Sequence, residues 1–86
     1  MSKVVFSRRF ERELRQLLRR QHQLRPSIEK TIQKLLCNPQ HPSLRLHKLN
    51  GDLGWSISVT MAIRIIVYFE NDTWFLLRIG NHDAVY

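Results

Sequence analysis

The sequence has little of what secreted, membrane or metal-binding proteins require. Its single cysteine, Cys37, can form neither an internal disulfide nor a multi-cysteine metal site. The longest apolar run, Ile65 to Phe69, is far shorter than the roughly 20 residues that cross a bilayer. The start of the chain, MSKVVFSRRF, lacks the apolar stretch of a secretory signal. We therefore expect a cytoplasmic protein that makes no use of a membrane.

Common cofactor and metal signatures are missing as well. The three glycines, Gly51, Gly54 and Gly80, are scattered and interpreted as turn residues, so they form no phosphate-binding loop. The chain has no G-x-S-x-G sequence and no pair of histidines on a predicted helix. The sequence therefore predicts neither a cofactor nor a metal ion.

Positive charge is the feature that the sequence has in excess. The 86 residues carry a net charge of +7. Residues 1–43 contain ten basic and three acidic side chains, whereas residues 44–86 contain four of each. An excess confined to one half indicates a polyanionic partner such as RNA or DNA, or else an acidic protein. The alternative is a solvated face that only keeps the protein soluble.

The first half of the chain predicts a short strand followed by a helix. Val4-Val5-Phe6 is typical of a strand, and Ser7 is a suitable N-cap. Apolar residues then follow at the i, i+4, i+7 and i+8 spacing of an amphipathic helix, namely Phe10, Leu14, Leu17 and Leu18. The opposite face of this helix carries the arginines Arg8, Arg12, Arg15 and Arg19.

A second amphipathic helix follows the segment QHQLRP. Pro26 suits its first turn, and Asn38-Pro39 ends it. Its apolar positions repeat the spacing of the first helix and are Ile28, Ile32, Leu35 and Leu36. Two such helices joined by a tight connection form a hairpin. Because neither helix can bury its apolar stripe alone, the hairpin needs a sheet to pack on.

The second half supplies that sheet. Its strand segments are Leu44–Leu49, which precedes the turn Asn50-Gly51-Asp52, then the alternating segment Trp55–Met61, and the mostly apolar segments Ile63–Phe69 and Thr73–Ile79, which Glu70-Asn71-Asp72 connects. The last two segments are expected at the centre of the sheet. The sequence therefore predicts one α+β domain over residues 1–86, in the order β-α-α-β-β-β with a short tail. The hairpin is expected to pack on one face of a small, mainly antiparallel sheet.

The candidate chemistry lies in the sheet and the tail. The residues concerned are His47, Lys48, Arg64, Arg78, His82, Asp83 and Tyr86. Histidine transfers protons near neutral pH, and arginine or lysine stabilises the charge of a phosphorane, so this set suits phosphodiester cleavage. Structural alternatives remain open. In these alternatives His47 is an ordinary exposed histidine, and the two strand arginines form ion pairs with Glu70, Asp72 or Asp83.

Three features resemble the RelE/ParE superfamily, the toxins of bacterial type II toxin–antitoxin systems, and in particular its YafQ-like branch. They are the basic helical hairpin after a short strand, the segment LHKLNG at Leu46–Gly51, and the ending LLRIGNHDAVY at Leu76–Tyr86. The resemblance covers essentially the whole chain. It implies a RelE-like fold and a metal-independent endoribonuclease that cuts mRNA in the ribosome, inhibits translation and is neutralised by an antitoxin.

The resemblance also assigns roles to residues. By position, His82 corresponds to the catalytic histidine of the branch, Tyr86 to its terminal aromatic residue and His47 to the histidine of its first sheet strand. Arg64 and Arg78 correspond to strand arginines. The implied reaction is attack of a 2′-OH on the adjacent phosphate, with His82 transferring a proton, His47 as its complement and the two arginines holding the phosphate. Lys48 and the arginine face of the first helix would bind RNA.

Two positions depart from the branch, because Val59 and Ile63 stand where it carries histidine and aspartate. These residues favour a weakened member that binds nucleic acid without cutting it. A toxin of the ParE type, which blocks DNA gyrase, is a further alternative, although it would need neither His47 nor His82. For a toxin of either type, we expect an antitoxin with an acidic amphipathic segment.

Overall fold

A sheet of five strands and a hairpin of two helices make up the fold. The computed structural model describes residues 2–51 and 54–85. In chain order the elements are β1 (Lys3–Phe6), α1 (Arg8–Arg20), α2 (Arg25–Cys37), β2 (His47–Lys48), β3 (Trp55–Ser58), β4 (Ile63–Glu70), β5 (Thr73–Asn81) and the short helix α3 (His82–Val85). None of the described helices has the length and apolar character to span a membrane.

The strands lie in the order β1-β5-β4-β3-β2. β1 runs parallel to β5, and every other neighbouring pair is antiparallel. The predicted α+β fold with a mainly antiparallel sheet is therefore confirmed, and so is the central position of the two most apolar strands, β4 and β5. Two left-handed residues, Asn71 (φ 51°) and Asp72 (φ 58°), form the tight turn of their hairpin.

The core lies between the sheet and the two helices. Its buried residues come from both predicted helical stripes, from alternate positions of the strands and, in the case of Leu44, from the turn before β2: Phe10, Leu17, Ile28, Leu35, Leu44, Ile57, Ile63, Ile65, Val67, Trp74, Leu76 and Ile79. This distribution confirms the helical stripes as the surfaces that pack on the sheet. It also divides the sheet into a face covered by the helices and an opposite face, which we call the open face.

The first sheet segment of the second half is shorter than predicted. Only His47–Lys48 form strand β2, because Pro42–Leu44 wind into a 3₁₀ turn and Arg45 takes a left-handed conformation (φ 49°). Even so, this segment counts as a strand of its own. Four strands follow the hairpin in the structure, which agrees with the four predicted segments, although the order β-α-α-β-β-β counts only three of them.

The next strand also ends early. β3 stops at Ser58, and the side chain of Thr60 accepts hydrogen bonds from the backbone N–H groups of Ala62 and Ile63. These bonds close a tight connection to β4. Met61, predicted to continue the apolar face of the strand, is instead 90% exposed in this turn.

Ser7 joins the start of α1 to the sheet. Its Oγ accepts a hydrogen bond from the N–H of Phe10 (3.0 Å), which confirms it as the N-cap. The same hydroxyl donates to the carbonyl oxygen of Leu77 in β5 (2.9 Å). One side chain therefore satisfies both a helix end and a strand edge.

Replacing Ser7 by alanine is expected to lower the free energy of unfolding by about 1–2 kcal/mol, since both hydrogen bonds are lost. Urea unfolding measures the change. Ser7→Asp restores the cap acceptor but cannot donate to Leu77 and should recover only part of the loss. Ser2→Ala, which removes only a solvent-exposed hydrogen bond to Asp72, is the control; an equal loss there would contradict the explanation.

Candidate functional site

The open face of the sheet brings several polar side chains into register. Arg64 in β4 lies opposite Ser58 in β3 and Gly80 in β5. One step along the strands, Ile66 lies opposite Ser56 and Arg78. Directly opposed residues project from the same face of a sheet, and the neighbours of Arg64 in β4, Ile63 and Ile65, belong to the helix-covered core. Arg64 and its row therefore lie on the open face.

Gly80 leaves a bare position beside Arg64. The sequence interpretation of Gly80-Asn81 as a turn is wrong, because β5 continues through Asn81 and pairs there with Ile63. The backbone of Gly80 is not left-handed, so conformational freedom does not account for the glycine. A glycine inside a strand allows another group to approach the backbone closely, and this one lies next to a guanidinium.

His82 follows at the end of β5 and begins α3. Its backbone N–H donates to the carbonyl oxygen of Ala62 (3.0 Å), which continues the pairing of β5 with β4 past Asn81. The side chain is 50% exposed, and its Nδ1 lies 3.5 Å from an Oδ1 atom of the fully exposed Asp83. His82 is thus two residues from Gly80 along the chain and two pairs from Arg64 along the ladder.

The short helix α3 contacts both β4 and β5. Its Val85 is buried but does not belong to the core under the helices. Ile66 and Ser56, on the open face, are buried in the same way. These burials indicate that α3 turns back over the open face.

Arg64 has no acidic partner among the described residues. Its Nε is buried and makes no hydrogen bond with any described residue. The Oγ of the fully buried Ser56 also makes no hydrogen bond among these residues. The alternative that paired Arg64 with Glu70, Asp72 or Asp83 is therefore wrong for this arginine. An unneutralised guanidinium on a partly open surface is suited to hold a phosphate.

Arg78, unlike Arg64, forms an ion pair with α1. Its Nη2 and Nε donate to one carboxylate oxygen of Glu13 in α1, at 2.9 and 3.3 Å. The other oxygen of Glu13 accepts from the backbone N–H of Ile79 (3.1 Å). Arg78 thus forms the structural ion pair that the alternative expected, but with Glu13 rather than with Glu70, Asp72 or Asp83.

His47 and Lys48 lie at the far edge of the sheet. His47 is exposed and lies opposite Ser56 on the open face, whereas Lys48 lies opposite Trp55, whose side chain packs against the core. Three strand spacings of about 4.8 Å place β2 about 14 Å from β5. Arg64 and His82 are thus two ladder pairs apart at one end of β4 and β5, whereas His47 lies at the opposite edge of the sheet. The remaining predicted site residue, Tyr86, lies outside the described residues.

Val59 and Ile63 have packing roles. Ile63 is 2% exposed and lies in the core, and Val59 packs against that core from the end of β3. Both side chains are apolar because they bury surface between the sheet and the helices. In the described part of the chain, no three His, Cys, Asp or Glu side chains come together as metal ligands.

The basic surface consists of four of the exposed arginines of α1, namely Arg8, Arg12, Arg15 and Arg19. None of the four has an acidic partner within 4.0 Å among the described residues. Their charges therefore face solvent, as the helical periodicity predicts.

Glu13 is the residue that sequence reasoning missed. On the helix it lies about 40° from Leu17 and so borders the apolar stripe. An acidic side chain there must find a partner when the stripe packs. This was the signal available in the sequence, although it does not say which cation supplies the partner.

Comparison with known proteins finds the same fold among toxins. No family model matches the chain, and no curated protein matches it. A metal-bound toxin from Helicobacter pylori superposes with a TM-score of 0.84 at 22% identity, over 100% of both chains. YafQ in the DinJ-YafQ toxin-antitoxin complex of E. coli gives 0.82 at 16% identity, over 99% of this chain and 97% of that one.

A YoeB/ParE toxin from Agrobacterium tumefaciens is a third similar structure, with a TM-score of 0.79 at 16% identity over 93% of this chain and 98% of that one. The neighbours are RelE/ParE-like toxins, and the match extends over nearly the whole of each chain. The RelE-like fold that the sequence resemblance predicts is therefore confirmed.

Proposed function

We propose that this chain is the toxin of a type II toxin–antitoxin system and acts as a ribosome-dependent mRNA endoribonuclease. The observation that carries the proposal is that the half-exposed His82 lies two ladder pairs from Arg64, which pairs with Gly80 and has no acidic partner among the described residues. On this proposal a proton-transfer group and a guanidinium act together at one end of the sheet. The fold shared with YafQ and the YoeB/ParE toxin supports the same function.

In the proposed reaction, a ribose 2′-OH attacks the adjacent phosphorus and the bond to the 5′-oxygen breaks. The products are a 2′,3′-cyclic phosphate and a 5′-OH end, so one proton leaves the 2′-oxygen and one reaches the 5′-oxygen. His82 transfers one of these protons, and the guanidinium of Arg64 stabilises the charge that develops on the phosphorane. Both groups act on the same phosphate, as their adjacent positions allow.

We assign His47 to RNA binding, whereas the resemblance implies that it complements His82 in proton transfer. An acid and a base that act on one phosphate must each reach it within hydrogen-bond distance. His47, about 14 Å across the sheet from β5, instead contacts the RNA strand away from the scissile bond. Lys48 contributes charge at the same edge, and Tyr86 is assigned, by resemblance, to the base beside the cut.

The basic surface is proposed to bind the backbone of ribosomal RNA. Such binding releases counterions and weakens as salt rises. Changing Arg12, Arg15 and Arg19 together to glutamine should reduce the slope of log affinity against log salt by about two to three. Ribosome co-sedimentation over a salt series measures the slope. The control changes Arg25, Lys30 and Lys34 of α2 to glutamine; equal slopes in the two triple variants would contradict a role specific to α1.

An antitoxin is proposed as the protein partner, in keeping with the DinJ-YafQ complex of a structural neighbour. A groove of about 380 Å³ between α1 and α2 is lined by Phe6, Leu14, Leu18, Ile28 and Ile32, among others. Phe6 is 41% exposed there. Apolar surface next to the basic surface suits an acidic amphipathic segment.

The function is tested with translating ribosomes on a defined mRNA, by mapping the 5′ ends that appear when the purified protein is added. We expect cleavage on the ribosome and none of the same mRNA free in solution. Gyrase supercoiling is assayed in parallel. Inhibited supercoiling without cleavage would establish the ParE-like alternative, and ribosome binding with neither effect would establish a member that binds RNA without cutting it.

A further inference from the structure

The later half of β5 has no strand on its outer side among the described residues. β1 pairs with β5 only from Thr73 to Leu76, whereas β5 continues to Asn81. Helix α1 takes the place of the missing strand through two side chains. Ser7 donates to the carbonyl of Leu77, and Glu13 accepts from the N–H of Ile79. Side chains of α1 and its N-cap thereby form hydrogen bonds with two backbone groups at the exposed edge of β5.

Glu13 is the more highly connected of these two residues. Besides the Ile79 amide, it holds the guanidinium of Arg78 by two hydrogen bonds, and the Nε of Arg9 lies 3.7 Å away. The side chains of Glu13 and Arg78 are 19% and 27% exposed. Partly buried charges of this kind are coupled, because removing one leaves the other without its partner.

The contacts of Glu13 fall where β5 is irregular. Ile66 pairs with Arg78, but the next residue, Val67, pairs with Leu76, so Leu77 is an extra residue in β5. A bulge bends the strand and redirects the side chains that follow it. Glu13 binds Arg78 and Ile79, the two residues that directly follow this bulge. His82 lies three residues after Ile79.

We propose that Glu13 is a positioning residue, which fixes the end of β5 and thereby sets the place of His82 against Arg64. On this proposal Arg78 acts through Glu13 and does not hold the phosphate, which is left to Arg64. The inference rests on the proposed nuclease function for its catalytic part. The proposal also links the basic surface to the proposed catalytic site, since α1 carries the basic surface on one side and Glu13 on the other.

A double-mutant cycle in the ribosome cleavage assay separates this role from phosphate binding. Glu13→Gln and Arg78→Gln should each lower kcat by about 10- to 100-fold, as expected for a displaced catalytic group, with KM for the ribosome complex unchanged. The double variant should be no worse than the poorer single variant. Glu11→Gln, at an exposed acid of the same helix, is the charge-matched control and should keep the wild-type kcat.

Direct phosphate binding by Arg78 predicts another pattern. Arg78→Gln would then lower kcat/KM while Glu13→Gln had little effect, and the two losses would multiply in the double variant. Either finding would overturn the proposal. Because a general loss of stability lowers activity through unfolded protein, all rates are compared below the unfolding transition of each variant.

Hydrogen exchange of the Ile79 amide tests the structural part without any activity. Glu13→Ala removes the acceptor and should accelerate exchange of this amide, whereas Glu13→Gln retains a carbonyl oxygen and should protect it more. Exchange of the Ile79 amide at the wild-type rate in Glu13→Ala would overturn the proposal that Glu13 fixes the end of β5. If the wild-type protein cleaves no RNA, the proposed function fails, but the exchange measurement still decides whether Glu13 fixes β5.

Discussion

Replacing His82 by alanine is expected to lower ribosome-dependent mRNA cleavage by about 10²- to 10⁴-fold, the usual contribution of a proton-transfer group. The imidazole is half exposed and so available to RNA. The backbone N–H of His82 donates to the carbonyl oxygen of Ala62, and alanine retains this hydrogen bond. The free energy of unfolding and ribosome binding should therefore stay close to wild type, and the loss should appear in kcat.

The measurement is single-turnover cleavage on stalled ribosomes, with ribosome binding followed by co-sedimentation. His22→Ala is the matched control, because His22 is also exposed and lies in the turn between the two helices. We expect this control to cleave at the wild-type rate. Equal cleavage by wild type and His82→Ala would remove His82 from the mechanism and, with it, the observation on which the proposed function depends.

Replacing Arg64 by glutamine is expected to lower kcat by about 10²- to 10³-fold, which is the typical effect of removing one group that stabilises a transition-state charge. The guanidinium has no acidic partner among the described residues, and its Nε is buried without a hydrogen bond. Its charge is therefore not used for folding in that part of the structure. Arg64→Lys keeps the charge without the planar fork and should recover only part of the rate.

Arg64→Gln should leave the free energy of unfolding unchanged or raise it, because a partly buried charge without a partner is unfavourable for folding. A gain in the free energy of unfolding together with a loss of cleavage is the pattern of a functional residue. Urea unfolding and single-turnover cleavage measure the two effects. Arg45→Lys, at an exposed arginine away from the site, is the control. Wild-type cleavage by Arg64→Gln would show that phosphate stabilisation comes from another residue.

Several elements could be predicted from the sequence because the signals that specify them are local. The stripe of α1, its cap at Ser7 and its arginine face follow from a period of 3.6 residues. The apolar content of β4 and β5 predicts their central places in the sheet. The two-residue extent of β2 could not be predicted in this way, since the alternation of Leu44–Leu49 is compatible with a strand throughout. The 3₁₀ turn and the left-handed Arg45 are what shorten it.

The sequence by itself determined the fold class and the basic face of α1, and it predicts a catalytic role for the ending that contains His82. Only the tertiary structure decided which charges are free. Arg64 and Arg78 look alike in sequence, as single arginines within apolar strands. Glu13 neutralises Arg78 from 65 residues away, whereas Arg64 lies beside Gly80 without an acid among the described residues. Local periodicity places each side chain on a face, but partners distant in the chain meet only when α1 packs against β5.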